Sequence, residues 1–190
     1  MSGLFLTDFD YLYPLRMLTP LIPLWLFRSY YKDLRWSWSW TPILQGFVVF
    51  ALWVALEPPA DPETADAIPS ALAEMPGAMA AFWLIARVLG SVVVVPVAEE
   101  LAFRGYLLRR LIDADFTAVS PKQFTAMSFL ISSVAFGALH GRWLAGILAG
   151  MIYAAAQYRR GQTSDAIVAH AVTNALLAAY VVIFGHWASW

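Results

Sequence analysis

Val92-Val93-Val94-Val95-Pro96-Val97-Ala98-Glu99-Glu100-Leu101-Ala102-Phe103-Arg104 places two adjacent carboxylates directly after a run of aliphatic residues. That run has the composition of a lipid-embedded segment, so the acid pair is not surface decoration. An ionised group at membrane depth costs about 2.5–3.5 kcal/mol on insertion scales, and such groups face a bundle interior or a water-filled cavity. Residues four apart share a helix face. Glu100 and Arg104 are therefore expected to pair, whereas Glu99, about 100° around a helix of 3.6 residues per turn, points elsewhere. One carboxylate looks structurally paired and the other free to do chemistry.

The rest of the chain is as apolar as this stretch. Of 190 residues, 61% are hydrophobic and 13% charged, against roughly 45–50% and about 25% in soluble domains. The expected fold class is all-α: one membrane domain over residues 1–190, a polytopic transmembrane helical bundle of about six helices. The net charge is −1, and the twelve Lys and Arg are scattered between apolar segments, so no nucleic-acid footprint is present. Without cysteine there is no disulfide, thiol nucleophile or thiolate metal site, and a metal would have to be held by His, Asp or Glu. Met1 to Asp10 carries two aspartates and no Lys or Arg, the wrong start for a cleaved signal peptide, so no removal is expected.

The six candidate spans are Tyr11 to Phe27, interrupted by Arg16 and three prolines; Pro42 to Leu56; Ala78 to Val95, with the acidic helix continuing to Ile112; Phe124 to Leu139; Trp143 to Tyr158; and Ala166 to Phe184. Pro96 either kinks one long helix or opens a second at its first turn. Glu57 to Gly77, rich in Pro and acid, reads as a solvated extracytoplasmic loop. Ser120-Pro121 reads as the start of the next helix. Tyr30-Tyr31 and Trp36-Ser37-Trp38-Ser39-Trp40, interleaved with Lys32 and Arg35, suit the headgroup region. Basic residues at Arg28, Lys32 and Arg35, at Arg109, Arg110 and Lys122, and at Arg159 and Arg160 assign three loops to the cytoplasm, leaving both termini outside.

Two further stretches carry polar side chains at helical spacing. Phe136 and His140 share a face at the end of the fourth span, and His170 and Asn174 share one inside the sixth. Taken singly, His140 serves equally as a cap on helix carbonyls, and a His–Asn pair as glue between helices. A base, two imidazoles and an amide together are what activating a water and stabilising an oxyanion require.

In that order on successive apolar segments, Glu99-Glu100-x-x-x-Arg104, Phe136-x-x-x-His140 and His170-x-x-x-Asn174 resemble the three motifs of the CAAX protease and bacteriocin-processing family. This group of membrane-embedded glutamate proteases includes the type II CAAX prenyl endopeptidases. The resemblance covers roughly residues 80 to 185, the expected catalytic core. Val95 to Glu100 and His140 to Gly146 further resemble bacterial CAAX-protease-related proteins found with exosortase systems, which implies a multi-pass protein of a bacterial inner membrane. The resemblance implies an endopeptidase in which Glu99 and His140 activate a water, His170 and Asn174 stabilise the oxyanion, and Glu100 and Arg104 hold the catalytic helix. Its implied partners are membrane lipid and a peptide or lipidated protein substrate. Because Asn174 is a poor zinc ligand, no cofactor is favoured. The alternative is zinc held by Glu99, His140 and His170. The chain looks shorter than eight-helix members, so a prenyl-binding part is not implied.

Gly-x-Ser-Gly, Gly-x-Gly-Asp and His-Glu-x-x-His are missing from the sequence, which removes serine, aspartyl and zincin-type chemistry. Rival readings are a non-catalytic immunity or scaffold protein on the same fold and a proton-coupled transporter. One geometric problem stands: if the fifth span crosses the bilayer, His140 and His170 start from opposite sides. Either the His140 turn dips inward or the fifth helix is short or tilted.

Overall fold

The computed structural model describes residues 9–32, 34–59 and 62–190, and these contain helices, turns and no strand. Asp61, and the first residues read above for a leader apart from Phe9 and Asp10, lie outside the described residues. The helices are α1 (Tyr13–Arg16), α2 (Leu21–Leu26), α3 (Trp40–Ala55), α4 (Pro62–Glu74), α5 (Gly77–Arg110), α6 (Ala126–Ala138), α7 (Trp143–Arg160) and α8 (Thr163–Phe184). Among them α5 and α8 are long and apolar enough to cross a membrane, and α3 and α6 are apolar but shorter.

The core forms where α3, α6, α7 and α8 meet, around Val49, Phe136, Ala149, Tyr153, Ala156, Ala166 and Ala169. Small residues let these backbones approach closely, the contact that drives helix association when lipid removes the hydrophobic effect. A Cβ on Gly146 would lie 2.8 Å from the Gly137 Cα, and one on Gly46 would lie 2.6 Å from the Ala169 carbonyl oxygen. Gly161 and Gly185 end α7 and α8 at φ 73° and 74°, the left-handed conformation that glycine adopts without steric cost.

Pro96 does not break the chain's longest helix. Two stretches of α5, Gly90–Val94 and Leu101–Leu107, widen into π-helix. At the first, the Val95 N–H donates to the Gly90 carbonyl. Proline has no N–H to offer the carbonyl one turn before it, and the wider turn accommodates that deficit. One continuous helix therefore carries the valine run, the acid pair and Arg104.

Three expectations need correction. The first candidate span is not one helix but α1, α2 and a 3-10 turn at Arg28–Tyr30, because Pro20 and Pro23 withhold backbone donors and clash with continued helix. The segment still travels the height of the bundle. Phe9 packs on Trp83 near the start of α5 at 4.6 Å between centroids, and Tyr30 packs on Phe116 past its end at 5.6 Å. Residues 62–74, read as loop, form α4. Pro62 occupies the first helical position, where its missing N–H is harmless, and Ile68, Ala71, Leu72 and Met75 repeat at helical spacing toward Phe9 and Trp83. Finally, the helix expected at Ser120-Pro121 starts at Ala126, because Thr125 supplies the cap, its Oγ1 accepting the Ser128 N–H at 3.2 Å.

Two tethers close the ends. Arg160 binds Asp165 at 2.7 Å and donates to the carbonyls of Ser37 (2.9 Å) and Trp38 (3.3 Å), fixing the non-helical Trp-rich segment with Trp36, Trp38 and Trp40 exposed. At the opposite end Glu57 accepts from Arg142 at 2.6 Å and from Ser189 at 2.5 Å. That tether joins the end of α3, the turn after His140 and the 3-10 turn Trp187–Ser189.

Candidate active site

Glu100 is the hub of the polar cluster. It is fully buried, as is Arg104 (0% and 1% exposed), and the two pair at 3.1 Å across one turn of α5, as their spacing requires. Arg104 Nη2 continues to the Gly150 carbonyl of α7 at 2.7 Å. A Cβ on Gly150 would lie 3.1 Å from the Ser133 Cα, so the glycine brings α7 close against α6. His170 Nδ1 of α8 meets the other side of Glu100, 2.9 Å from Oε1. One carboxylate thus ties together α5 and α8, and through its guanidinium partner α7 as well.

Phe136 lies between the two motif histidines. Its ring centroid is 4.7 Å from that of His140 and 5.8 Å from that of His170, and the Arg104 guanidinium carbon sits 4.4 Å over it. The fifth helix is not short, since α7 has 18 residues. Phe136 links the histidines across the gap that the sequence left open.

Protonation follows from the partners. A carbonyl only accepts, so the His140 Nδ1 that lies 2.8 Å from the Phe136 oxygen carries hydrogen. His140 caps its helix, as the plainer reading held, and its Nε2 lies outside that bond. His170 Nδ1 faces a carboxylate, so donation from its Nε2 requires a ring carrying both protons, with Glu100 as anionic partner. Asn174 Nδ2 donates one hydrogen to the Ser91 carbonyl at 2.7 Å, which leaves its second hydrogen uncommitted. Glu99 is partly buried, and its Oε2 is buried with no hydrogen-bond partner. A carboxylate oxygen left so is costly unless water or substrate completes it.

The predicted residues fall into two groups. Glu100, Arg104, Phe136, His140 and His170 form one contiguous cluster by direct contact. Asn174 reaches the first π-helical stretch of α5 through Ser91, and Glu99 bonds to none of them. As for zinc, no three His, Asp or Glu side chains gather into a metal site among the described residues, so these residues as placed do not fit the metal set.

Tyr153, Trp53 and Gln157 were not singled out from sequence. The Tyr153 ring stacks on His170 at 4.8 Å and 14°. Trp53 stands edge-on to His140 at 5.7 Å. Gln157 donates to the Arg104 carbonyl at 3.3 Å and accepts from Thr163 at 2.8 Å. A signal for two of them existed: Gly146, Gly150, Tyr153 and Gln157 recur at four, three and four residues, one face of α7.

The family model described as Type II CAAX prenyl endopeptidase Rce1-like matches residues 80–176. Neither a curated protein nor a solved structure matches the chain.

Proposed function

The chain belongs to the Rce1-like type II CAAX prenyl endopeptidase family, and from that premise we propose that it is an intramembrane endopeptidase acting on membrane-associated or lipidated peptides. In this reading α3, α5, α6, α7 and α8 cross the bilayer, the broken α1–α2 segment runs alongside them, and the Arg109, Arg110, Arg159 and Arg160 ends face the cytoplasm.

A water between Glu99 and the His140 Nε2 gives its proton to the Glu99 carboxylate while its oxygen bonds to the peptide carbonyl carbon. The carbonyl oxygen becomes an oxyanion, hydrogen-bonded by the free Asn174 amide hydrogen and by His170 Nε2. Glu99 passes the proton to the amide nitrogen, the C–N bond breaks, and an acid and an amine leave. Glu100 and Arg104 touch no substrate atom; they hold His170 and the two helices in register.

The observation that supports this most directly is the contrast between adjacent carboxylates. Glu100 is ion-paired with Arg104 and bonded to His170, while Glu99 keeps a buried oxygen with neither hydrogen bond nor ion pair among the described residues. The test is purified protein in nonionic detergent with a peptide library that includes prenylated CAAX peptides. Cleavage at a defined bond is expected, with Glu99→Gln lowering turnover by about 10²–10⁴-fold, the usual contribution of a general base. Undiminished turnover in that variant would sink the proposal. Loss of activity in chelator, restored by zinc, would replace Glu99 as the water-activating group.

A further inference from the structure

Two backbone donors of α5 could serve the Ser91 carbonyl, and neither does. In ordinary α-helix that carbonyl takes the N–H four residues on, which belongs to Val95, but the wide turn sends the Val95 N–H to the Gly90 carbonyl instead. In the i→i+5 register it takes the N–H five residues on, and that residue is Pro96, which has no N–H to give. The Ser91 carbonyl is thus left as an open acceptor where α8 packs against the widened stretch.

In membrane helices a carbonyl freed by proline is completed by a neighbouring helix. Here the completing group is the Asn174 side chain of α8, whose Nδ2 donates to the Ser91 oxygen at 2.7 Å, the short end of the N–H···O range. A primary amide is planar, so fixing one of its hydrogens on this carbonyl also fixes the direction of the other. That second hydrogen is the one the mechanism above gives to the oxyanion.

Pro96 is buried and touches no substrate atom in that mechanism. We propose that Pro96 is a positioning residue for Asn174: by withholding one N–H it keeps the Ser91 carbonyl open, and the carbonyl aims the asparagine amide. The catalytic consequence rests on the endopeptidase reading, whereas the orienting role does not. α5 then carries the base Glu99 and also the peg that orients the oxyanion donor, so one helix sets the spacing between them.

The test restores the missing donor. Pro96→Ala returns the N–H, and in either helical register a backbone donor then reaches Ser91. A second variant carries the α-hydroxy analogue of alanine at position 96, introduced by nonsense suppression. It loses the proline ring as Pro96→Ala does, but has an ester oxygen where the N–H would be. Asn174 is the sole asparagine of the chain, so isotopic labelling of asparagine gives a single side-chain amide signal in nonionic detergent, readable with or without turnover. In the wild-type protein and the ester variant its bonded hydrogen should resonate downfield of a free amide. In Pro96→Ala it should return toward the free-amide position. Cleavage of prenylated CAAX peptides by Pro96→Ala should show kcat lowered by about 10–100-fold, less than the roughly 10²–10³-fold that losing an oxyanion donor outright costs, with KM little changed. The ester variant should keep most of the wild-type kcat. An unmoved amide signal in Pro96→Ala, or equal losses in Pro96→Ala and the ester variant, overturns the proposal while leaving the endopeptidase standing. If the amide responds as expected but the wild-type protein cleaves no peptide, the orienting role stands and the endopeptidase reading falls.

Discussion

Glu100 illustrates how a single side chain can be structural while its neighbour is, in the proposed mechanism, chemical. Removing one partner of a buried ion pair leaves the other charge uncompensated at about 3–5 kcal/mol, so Arg104→Leu should lower the thermal unfolding midpoint in detergent sharply. Glu99→Gln should leave that midpoint nearly unchanged, because the Glu99 Oε2 has no partner to lose. Tyr153 is expected to act on His170 through the stacked ring: Tyr153→Phe should keep turnover, and Tyr153→Leu should lower kcat more than it raises KM and broaden the pH–rate profile. If Tyr153→Phe and Tyr153→Leu behaved alike, the ring would have no positioning role. Sequence resolved this scale unevenly. The Glu100–Arg104 pair was legible because both residues sit on one helix, where spacing alone sets the face. That His170 would bond Glu100, and Asn174 the Ser91 carbonyl, depends on the rotation and depth of α8 against α5, which no single helix encodes.

Among the helices, close approach and capping decide what forms. A Cβ at Gly146 would meet backbone rather than a flexible side-chain tip, so Gly146→Ala should separate α6 from α7 and cost stability in the range of about 1–3 kcal/mol typical of overpacking. Read by unfolding midpoint, an unchanged value would show that the helices slide freely. Its effect should reach activity through Phe136, since α6 carries that ring. The helical spans from Pro42 onward were readable because apolar runs and glycine stops are local signals. Two of the missed elements turn on proline: the Pro-rich stretch 57–77 was read as loop, and Tyr11 to Phe27 as one span. Pro62 in fact opens α4 at a position that needs no donor, Pro69 lies inside it, Pro96 is absorbed by a π turn, and Pro20 and Pro23 interrupt.

At the scale of the whole molecule, α5 is the axis against which everything else is registered. Its first half meets Phe9, Tyr13 and Trp190, and its second half carries Glu99, Glu100 and Arg104. The Glu57–Arg142 tether belongs to the same scale, since it fastens the C-terminal turn over the end of the bundle where His140 lies. Glu57→Gln should speed amide hydrogen exchange at residues 185–190 while leaving α7 protected. Exchange that stayed slow there would show that aromatic packing alone holds the turn. The widened stretch at Gly90–Val94 divides α5 into two parts with separate clocks. An i→i+5 turn holds one residue more than an i→i+4 turn within about one rotation, so the extra residue leaves the two halves nearly in phase; wound as plain α-helix it would swing one half against the other by about 100°. Arg104 would still find Glu100, but Arg87 would turn away from Tyr13. The wide turn therefore keeps the acidic end of the axis in phase with the end that meets the Tyr13 and Trp190 rings.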